Sequence, residues 1–217
     1  MAKYKKQSMM KDAIILCMIS LIAALALGFV NELTKDRIAF LAAQAKAEAY
    51  QEVFPQAVAI VDKESDATLK ATLKATLEEA ESILTANGFS NIKINEVCIV
   101  QDANQKRIGY VASVSLKAYD SMTLTFGYTT EGVCTGLAFL EIKETPGIGM
   151  KADEPDFKNQ FVNKKAEQFI SVKNGASADN EINAISGATF TTDGVLRGVN
   201  AGISFMNELQ NRLGGAN

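Results

Sequence analysis

The chain contains no histidine and no tryptophan among its 217 residues. The lack of histidine excludes histidine acid/base catalysis, Ser-His and Cys-His nucleophilic triads, and histidine metal sites. Cysteine is scarce as well: Cys17, Cys98 and Cys134 are isolated in the sequence, so there is no C-x-x-C pair to hold zinc or an iron–sulfur cluster. Any redox chemistry in this chain therefore needs an organic cofactor.

Charge of one sign is not in excess either. The chain has 22 Lys and Arg against 25 Asp and Glu, a formal net charge of −3 at pH 7. No basic cluster with interleaved aromatic residues is present, so we expect no nucleic-acid partner. The 47% hydrophobic content is enough for one core, and an extra hydrophobic segment leaves about one ordinary domain.

Such a segment occurs near the N-terminus. Residues 13–30 are apolar or small, carry no charge, and are interrupted only by Ser20 and Gly28. As a helix this run is about 27 Å long, which is near the hydrocarbon thickness of a bilayer. We therefore predict a transmembrane helix over residues 13–33, in which Cys17 serves helix packing.

The charges that flank this helix predict its orientation. Four lysines precede the apolar run, whereas the charges just after it nearly cancel. The positive-inside rule then makes residues 1–12 a cytoplasmic N-terminus and the large domain extracytoplasmic, in a single-pass protein of the cell (inner) membrane. A cleaved signal peptide is the alternative, since residues 24–26 have the small-x-small form of a cleavage site.

Residues 34–86 are predicted to form a stalk and surface helices. Strong helix formers extend to about Val53, where Phe54-Pro55 ends the helix. A loop is predicted over residues 62–66, and a near-repeat over 67–78 then places leucines along one side of a surface helix. Asn87-Gly88 ends that helix near Ala86.

Residues 87–217 are predicted to form a single α+β domain. Four β-rich runs joined by short breaks, at 92–100, 110–117, 122–128 and 133–142, favour an antiparallel meander flanked by helices. Cys98 and Cys134 lie in the first and fourth runs, and whether they form a disulfide is left open. A short helix around Phe157 and Phe161, a strand over 169–172 and a polar loop over 173–180 follow.

Two stretches have the composition of a cofactor site. Ser186-Gly187-Ala188-Thr189 precedes a segment of helical apolar spacing, so a helix is predicted to begin near Thr192, with N–H groups able to bind phosphate. An ordinary capped helix start is the alternative. Glu144-Thr-Pro-Gly-Ile-Gly149 lets the backbone approach a flat ring, although a tight turn explains it equally well.

These two stretches carry a resemblance to a known family. Ser186–Thr189 resembles the S/T-G-A-T flavinylation motif, and Glu144–Gly149 resembles the ETPGLG loop, of an FMN-binding domain. That domain occurs in the G subunit of Rnf electron-transport complexes and in the C subunit of sodium-pumping quinone reductases. The compact length is more similar to the Rnf G subunit. Asn183 stands where the family usually carries Asp.

The resemblance implies covalent FMN, esterified through its phosphate to Thr189 by a flavin transferase. It further implies two groups of contacts. The phosphate side comprises Ser186, Gly187, Ala188, Thr191 and Thr192, and the ring side comprises Glu144, Thr145, Gly147, Ile148, Gly149 and Lys151. Glu144 is expected to fix the loop or to reach a ring nitrogen.

The implied function is electron relay within a membrane complex that couples ferredoxin oxidation and NAD reduction to Na+ or H+ transport. The implied partners are other subunits of that complex, the flavin transferase and the lipid bilayer. A C-type subunit of a quinone reductase, a stand-alone anchored FMN reductase and a flavin-free scaffold are the alternatives.

Overall fold

The computed structural model describes residues 2–55, 57, 59–61 and 67–214, so the loop predicted over residues 62–66 lies outside the described residues. The chain divides into two compact units, Met1–Ala45 and Lys46–Asn217.

The first unit is helical throughout its described residues and belongs to helix α1, Ala2–Val53. Large apolar side chains such as Ile14, Leu21 and Phe29 are exposed on its surface. A helix that is apolar all round suits a lipid environment. Within the described part of the chain, α1 is the one helix long and apolar enough to cross a membrane. It ends at Val53, as predicted, just before Phe54-Pro55.

The second unit is α+β, as predicted. Six strands form one antiparallel sheet in the order β1-β2-β3-β4-β5-β6. Along the chain the elements are β1 Ala59–Val61, α2 Ala67–Glu78, α3 Ala80–Ala86, β2 Ile92–Gln101, β3 Arg107–Lys117, β4 Ser121–Thr129, β5 Val133–Ile142, α4 Pro155–Lys158, β6 Lys164–Lys165, β7 Ile170–Val172, β8 Glu181–Asn183 and α5 Thr189–Gly214.

The four long strands β2 to β5 confirm the predicted meander. Their register alternates core and outer positions, so Val114 pairs with Leu124 in the core row while Ser115 pairs with Thr123 behind it. The short strands β1 and β6 were not predicted, because two or three residues are too few to show an alternating pattern.

Helix α5 covers one face of this sheet. Gly202 faces Phe126, where an added Cβ would lie 2.5 Å from the ring, so the missing side chain lets the helix approach the sheet. The helix predicted over 67–86 is instead two helices that break at Glu79. Leu69 and Leu84 are buried in the core that α5 and the sheet share. These helices therefore belong to the fold of the second unit.

The end of α1 lies on the opposite face of the sheet. Val53 and Phe54 are buried there in a second apolar cluster. Gly109, Gly127 and Gly136, on three adjacent strands, form what we call the glycine trough. A Cβ on Gly127 would lie 2.6 Å from the Val53 carbonyl oxygen. The close approach of the α1 backbone to the sheet thus depends on the absence of side chains in the trough.

Cys98 and Cys134 do not form a disulfide. β3 and β4 lie between their strands, a separation of about 14 Å, whereas a disulfide needs Cα atoms roughly 4.4–6.8 Å apart. The two thiols also point to opposite faces, Cys98 into the cluster under α1 and Cys134 into the cluster under α5. Burial raises the pKa of the Cys134 thiol to about 12.

The segment before α5 contains a small parallel pair of strands, β7 and β8. β7 lies within the predicted strand, whereas β8 was not predicted, because it is three residues long and follows a polar loop. The Asn200 side chain of α5 accepts a hydrogen bond from the N–H of Phe169 at 2.8 Å and donates one to its carbonyl oxygen at 2.9 Å. This pair of hydrogen bonds ties the start of β7 to α5.

Candidate functional site

The segment Ser186–Thr189 forms a tight turn on the surface. The N–H of Ala188 donates to the carbonyl oxygen of Ile185 at 3.0 Å, and Gly187 has φ +79°, a conformation that glycine adopts without strain. Ala188 is buried, while Ser186, Gly187 and Thr189 are exposed. A Cβ added at Gly187 would have no other part of the chain within 4 Å, its sequence neighbours aside. The turn therefore presents two hydroxyls to solvent.

Helix α5 begins at Thr189, three residues before the predicted start. The reason lies in Thr192. Its hydroxyl accepts a hydrogen bond from the N–H of Ile185 at 3.0 Å and donates one to the carbonyl oxygen of Ala188 at 3.1 Å. These two bonds make the turn continuous with the helix. Thr189 consequently lies in the first helical turn with its side chain exposed. The intrahelical hydrogen bonds of α5 start with the one from the N–H of Thr192 to the carbonyl oxygen of Ala188. The N–H groups of Thr189 to Thr191 come before it, so they have no acceptor within the helix.

Thr191 points away from the surface. Its hydroxyl is buried and donates to Glu144 Oε2 at 3.2 Å, although the two residues are 47 positions apart. Glu144 is itself only 7% exposed, and its Oε1 accepts the N–H of Asp120 at 3.2 Å. Glu144 thus joins the first turn of α5 to the turn between β3 and β4.

The loop after Glu144 is folded on itself. The carbonyl oxygen of Thr145 accepts the N–H groups of Ile148 and Met150, both at 3.2 Å, and Gly147 takes φ +73°. A 3-10 turn then begins at Gly149. A Cβ on Gly149 would lie 2.7 Å from Glu144 Oε2 and 2.9 Å from Thr191 Oγ1. Only glycine fits against these two side chains.

We call the contact among Asp120, Glu144, Gly149 and Thr191 the Glu144 junction. It brings together the two stretches that have the composition of a cofactor site. No lysine or arginine of the described ranges forms an ion pair with Glu144. The carboxylate is instead held by two neutral donors, one in the turn between β3 and β4 and one in the first turn of α5, where the helix dipole favours negative charge.

Asn183 has a structural role in this region. Its Oδ1 accepts the N–H of Ala176 at 3.0 Å, and its own N–H donates to Gln160 Oε1 at 2.7 Å. These bonds fix the loop that precedes the turn at Ser186–Thr189. A carboxylate oxygen accepts an N–H as an amide oxygen does, so Asn183 supplies the same acceptor as the Asp that is usual in the family it resembles.

Lys151 and the residues before the turn at Ser186–Thr189 share a shallow cleft of about 260 Å³. Its lining comprises Lys151, Glu154, Asp156, Phe157, Gln160 and residues 183–185. The cleft therefore places a cation and several polar groups directly beside the turn at Ser186.

The sequence predicted Ile148 as a site residue but not the exposed apolar group around the junction to which Ile148 belongs. Among the described residues of the second unit, six large apolar side chains are exposed, and four of them are next in sequence to junction residues. They are Tyr119 at 71%, Ile148 at 46%, Met150 at 41% and Phe190 at 78%, which we call the apolar collar. Phe190 had a sequence signal: it lies off the apolar stripe of α5, on the side of the exposed Arg197.

Comparison with known proteins identifies the family. Residues 119–204 match the FMN-binding domain and residues 1–53 match the RnfG N-terminal region. The chain is 32% identical to the G subunit of the Na+-translocating ferredoxin:NAD+ oxidoreductase complex of Acetobacterium woodii, over 92% of each chain. The chain belongs to the RnfG family. It is also 25% identical to the G subunit of the ion-translocating oxidoreductase complex of Methanosarcina acetivorans, over 90% of this chain and 93% of that one.

A solved structure is also similar. The crystal structure of Shewanella oneidensis NqrC aligns with 55% of this RnfG-family chain and 61% of its own, with a TM-score of 0.45 and 22% identity.

The matched ranges follow the structure. The RnfG N-terminal region ends at Val53, where α1 ends, and the FMN-binding match begins at Tyr119 of the apolar collar. All the site residues predicted from the sequence lie within that match.

The residues present fit an FMN group. The turn has open space at Gly187, two residues before the exposed Thr189, and the first N–H groups of α5 can receive a phosphate. The collar offers apolar surface of the kind that a flat, partly apolar ring covers.

Proposed function

We propose that this RnfG-family chain is the flavin-carrying subunit of an ion-translocating ferredoxin:NAD oxidoreductase complex, with FMN esterified through its phosphate to Thr189. The observation that carries the proposal is the position of Thr189: an exposed hydroxyl in the first turn of α5, within the flavinylation motif and beside the Glu144 junction. A covalent bond keeps the cofactor on a domain that faces an open compartment, so tight binding is unnecessary.

We assign the phosphate contacts to the turn at Ser186–Thr189. The exposed Ser186 hydroxyl and the backbone N–H groups of the first turn of α5 are available as donors, and the helix dipole adds favourable potential. The hydroxyls of Thr191 and Thr192 donate within the chain, at 3.2 Å and 3.1 Å. We therefore assign these two threonines to shaping the turn.

We assign the ring contacts to the loop from Thr145 to Gly149, to Lys151 and to the collar. Gly147 and the folded loop offer backbone at the surface, and Ile148 offers apolar area beside it. Glu144 holds this loop from below through the junction. When bound, FMN supplies a ring that takes up and releases one or two electrons.

The electrons must come from and go to other subunits. No group of histidine, cysteine or acidic residues suited to a metal occurs among the described residues, and the full sequence has no histidine and no paired cysteines. A relay between partner centres therefore suits this chain better than a self-contained reductase.

We further propose that residues 1–12 lie in the cytoplasm and that the domain is extracytoplasmic, where the flavin transferase acts. Protease added to intact spheroplasts should digest the domain and spare the segment over residues 13–30. Protection of the domain would contradict this orientation, and a mature chain that begins at Leu27 would show a cleaved signal peptide.

The decisive experiment for covalent attachment is mass spectrometry of the full-length chain produced with a flavin transferase. The peptide containing Ser186–Thr192 should gain the mass of FMN minus one water, on Thr189. Thr189→Ala should fold normally and show no in-gel flavin fluorescence, while Thr189→Ser, which restores a hydroxyl, is the matched control. FMN on Thr191, or on no residue, would refute the attachment.

The relay role is tested in the assembled complex. With Thr189→Ala, membrane vesicles should keep the complex intact, because a surface hydroxyl is lost, but ferredoxin-dependent NAD reduction and ion transport should fall to background. Near-normal electron transfer in the assembled variant would make the flavin a side branch and would favour a stand-alone reductase.

A further inference from the structure

The Glu144 junction contains a buried carboxylate whose two oxygens both act as acceptors. Oε1 accepts an N–H and Oε2 accepts a hydroxyl, so both oxygens of the carboxylate are engaged by donors. Its donors are neutral, and within the described part of the chain it has no cationic partner. The negative charge is therefore stabilised by hydrogen bonds and by the α5 dipole without being cancelled.

This charge lies between the two places where the proposed function fixes FMN. Thr191, which binds the carboxylate, follows the acceptor Thr189 by two residues, about 3 Å along the helix axis. Thr145, the first residue of the loop assigned to the ring, follows Glu144 directly in the chain. Of the two proposed anchors, Thr189 is thus two residues from Thr191, which binds the carboxylate, and Thr145 is next to Glu144 itself.

We propose that Glu144 sets the reduction potential of the flavin, an inference that rests on the proposed function. Adding an electron to the ring adds negative charge unless a proton follows it. A buried carboxylate repels that charge, and it does so strongly because a buried site is only weakly screened by water and salt. Glu144 thereby lowers the potential, which makes the reduced flavin a better electron donor.

A purely structural role for Glu144 is the competing account, and one substitution separates the two. Glu144→Gln keeps the size and shape of the side chain. Its amide can accept the N–H of Asp120 with its oxygen and can donate to the Thr191 hydroxyl with its nitrogen. The junction is then preserved while the charge is lost, so a structural role predicts an unchanged potential.

The experiment is a spectroelectrochemical titration of the full-length, flavin-loaded chain in detergent. Glu144→Gln should shift the midpoint potential to a higher value than in the wild type. The matched control is Glu141→Gln, three residues before Glu144 in the chain. It removes an exposed carboxylate that is paired with Lys143, and it should leave the potential unchanged. A loaded Glu144→Gln chain with the wild-type potential would overturn the proposal, as would an equal shift in the control.

A second variant covers the case in which Glu144→Gln does not take up flavin. Thr191→Val is similar in shape and leaves the carboxylate in place with one donor fewer, so its charge is less compensated and the potential should fall. An unchanged or raised potential in Thr191→Val would overturn the proposal. Failure of the proposed function is distinct, since wild-type chain would then carry no FMN on Thr189 at all.

Discussion

Substituting Gly149 by alanine tests whether the Glu144 junction holds together the two segments proposed to bind the cofactor. The new methyl group would lie 2.7 Å from Glu144 Oε2 and 2.9 Å from Thr191 Oγ1, both too close for any stable contact. Because the clash involves both partners of the hydrogen bond, relief of the clash must displace Glu144 and Thr191 or the loop that carries Gly149. We therefore expect Gly149→Ala to break the junction.

The size of the effect follows from two contributions. Overpacking by a methyl group costs about 1–3 kcal/mol, and a hydrogen bond to a charged group contributes about 1.5–3 kcal/mol. The two overlap, since relief of the clash is what breaks the bond. We expect the free energy of unfolding to fall by about 2–4 kcal/mol, which is a large share of the stability of a domain.

Gly147→Ala is the control within the same loop. Gly147 has φ +73° and open space around its Cα, so alanine there meets backbone strain of about 1–2 kcal/mol without a clash. Both variants lose the same glycine entropy in the unfolded chain, so this contribution cancels in the comparison.

Pulse proteolysis of the full-length chain in urea measures the midpoint of unfolding for both variants. Gly149→Ala should have the lower midpoint. Equal midpoints, or a lower midpoint for Gly147→Ala, would refute the steric reasoning about the junction.

Three further outcomes are expected. Gly127→Ala in the glycine trough should lower the free energy of unfolding by about 1–3 kcal/mol, because its methyl group overlaps the end of α1; wild-type stability in the same proteolysis assay would show that α1 can move away. Asn183→Asp should change stability by less than about 0.5 kcal/mol and should not slow flavin attachment, because the acceptor oxygen is retained; slower attachment, followed by flavin fluorescence, would contradict this. Hydrogen bonds from the N–H groups of Ser177 and Ala178 lower the pKa of Glu181 in the folded chain, so its contribution is present above its unfolded pKa and is lost as the pH falls. Glu181→Gln should therefore lose less stability than the wild type between neutral and acidic pH, and an identical pH dependence would refute the assignment.

The features that could be predicted from the sequence are those with a long local pattern. The strands β2 to β5 are β-rich runs of nine or more residues, and the membrane helix contains a long apolar run. The strand β8 could not be found in this way. It is three residues long, and its pairing with β7 depends on a contact across a polar loop.

Features that depend on how distant parts of the chain align could not be predicted from the sequence either. Gly109, Gly127 and Gly136 each look like a weak point in a strand, and only the register of the sheet shows that they line one trough. The start of α5 was predicted too late, because a threonine at position 192 is typical of an N-cap. In the structure its hydroxyl instead bonds to Ile185 and Ala188, and the helix starts in the preceding turn.

The candidate site was anticipated as two motifs, and what the sequence could not supply was the contact between them. The hydroxyl of Thr191 is suited to bind phosphate. A helix rotates by about 100° per residue, however, so Thr191 points inward while Thr189 faces outward. The inward direction gives Thr191 its bond to Glu144.

The burial of Cys98 and Cys134 has a practical consequence for spectroscopy. Both thiols of the folded domain are closed to water-soluble reagents, and Cys17 lies on the apolar helix that we assign to lipid. A single cysteine introduced at an exposed position outside the proposed cofactor site, such as Val162, would thus be the one site on the domain that a charged maleimide or spin label reaches. Distances from that label to partner subunits could be measured in the otherwise native chain, with no thiol removed beforehand.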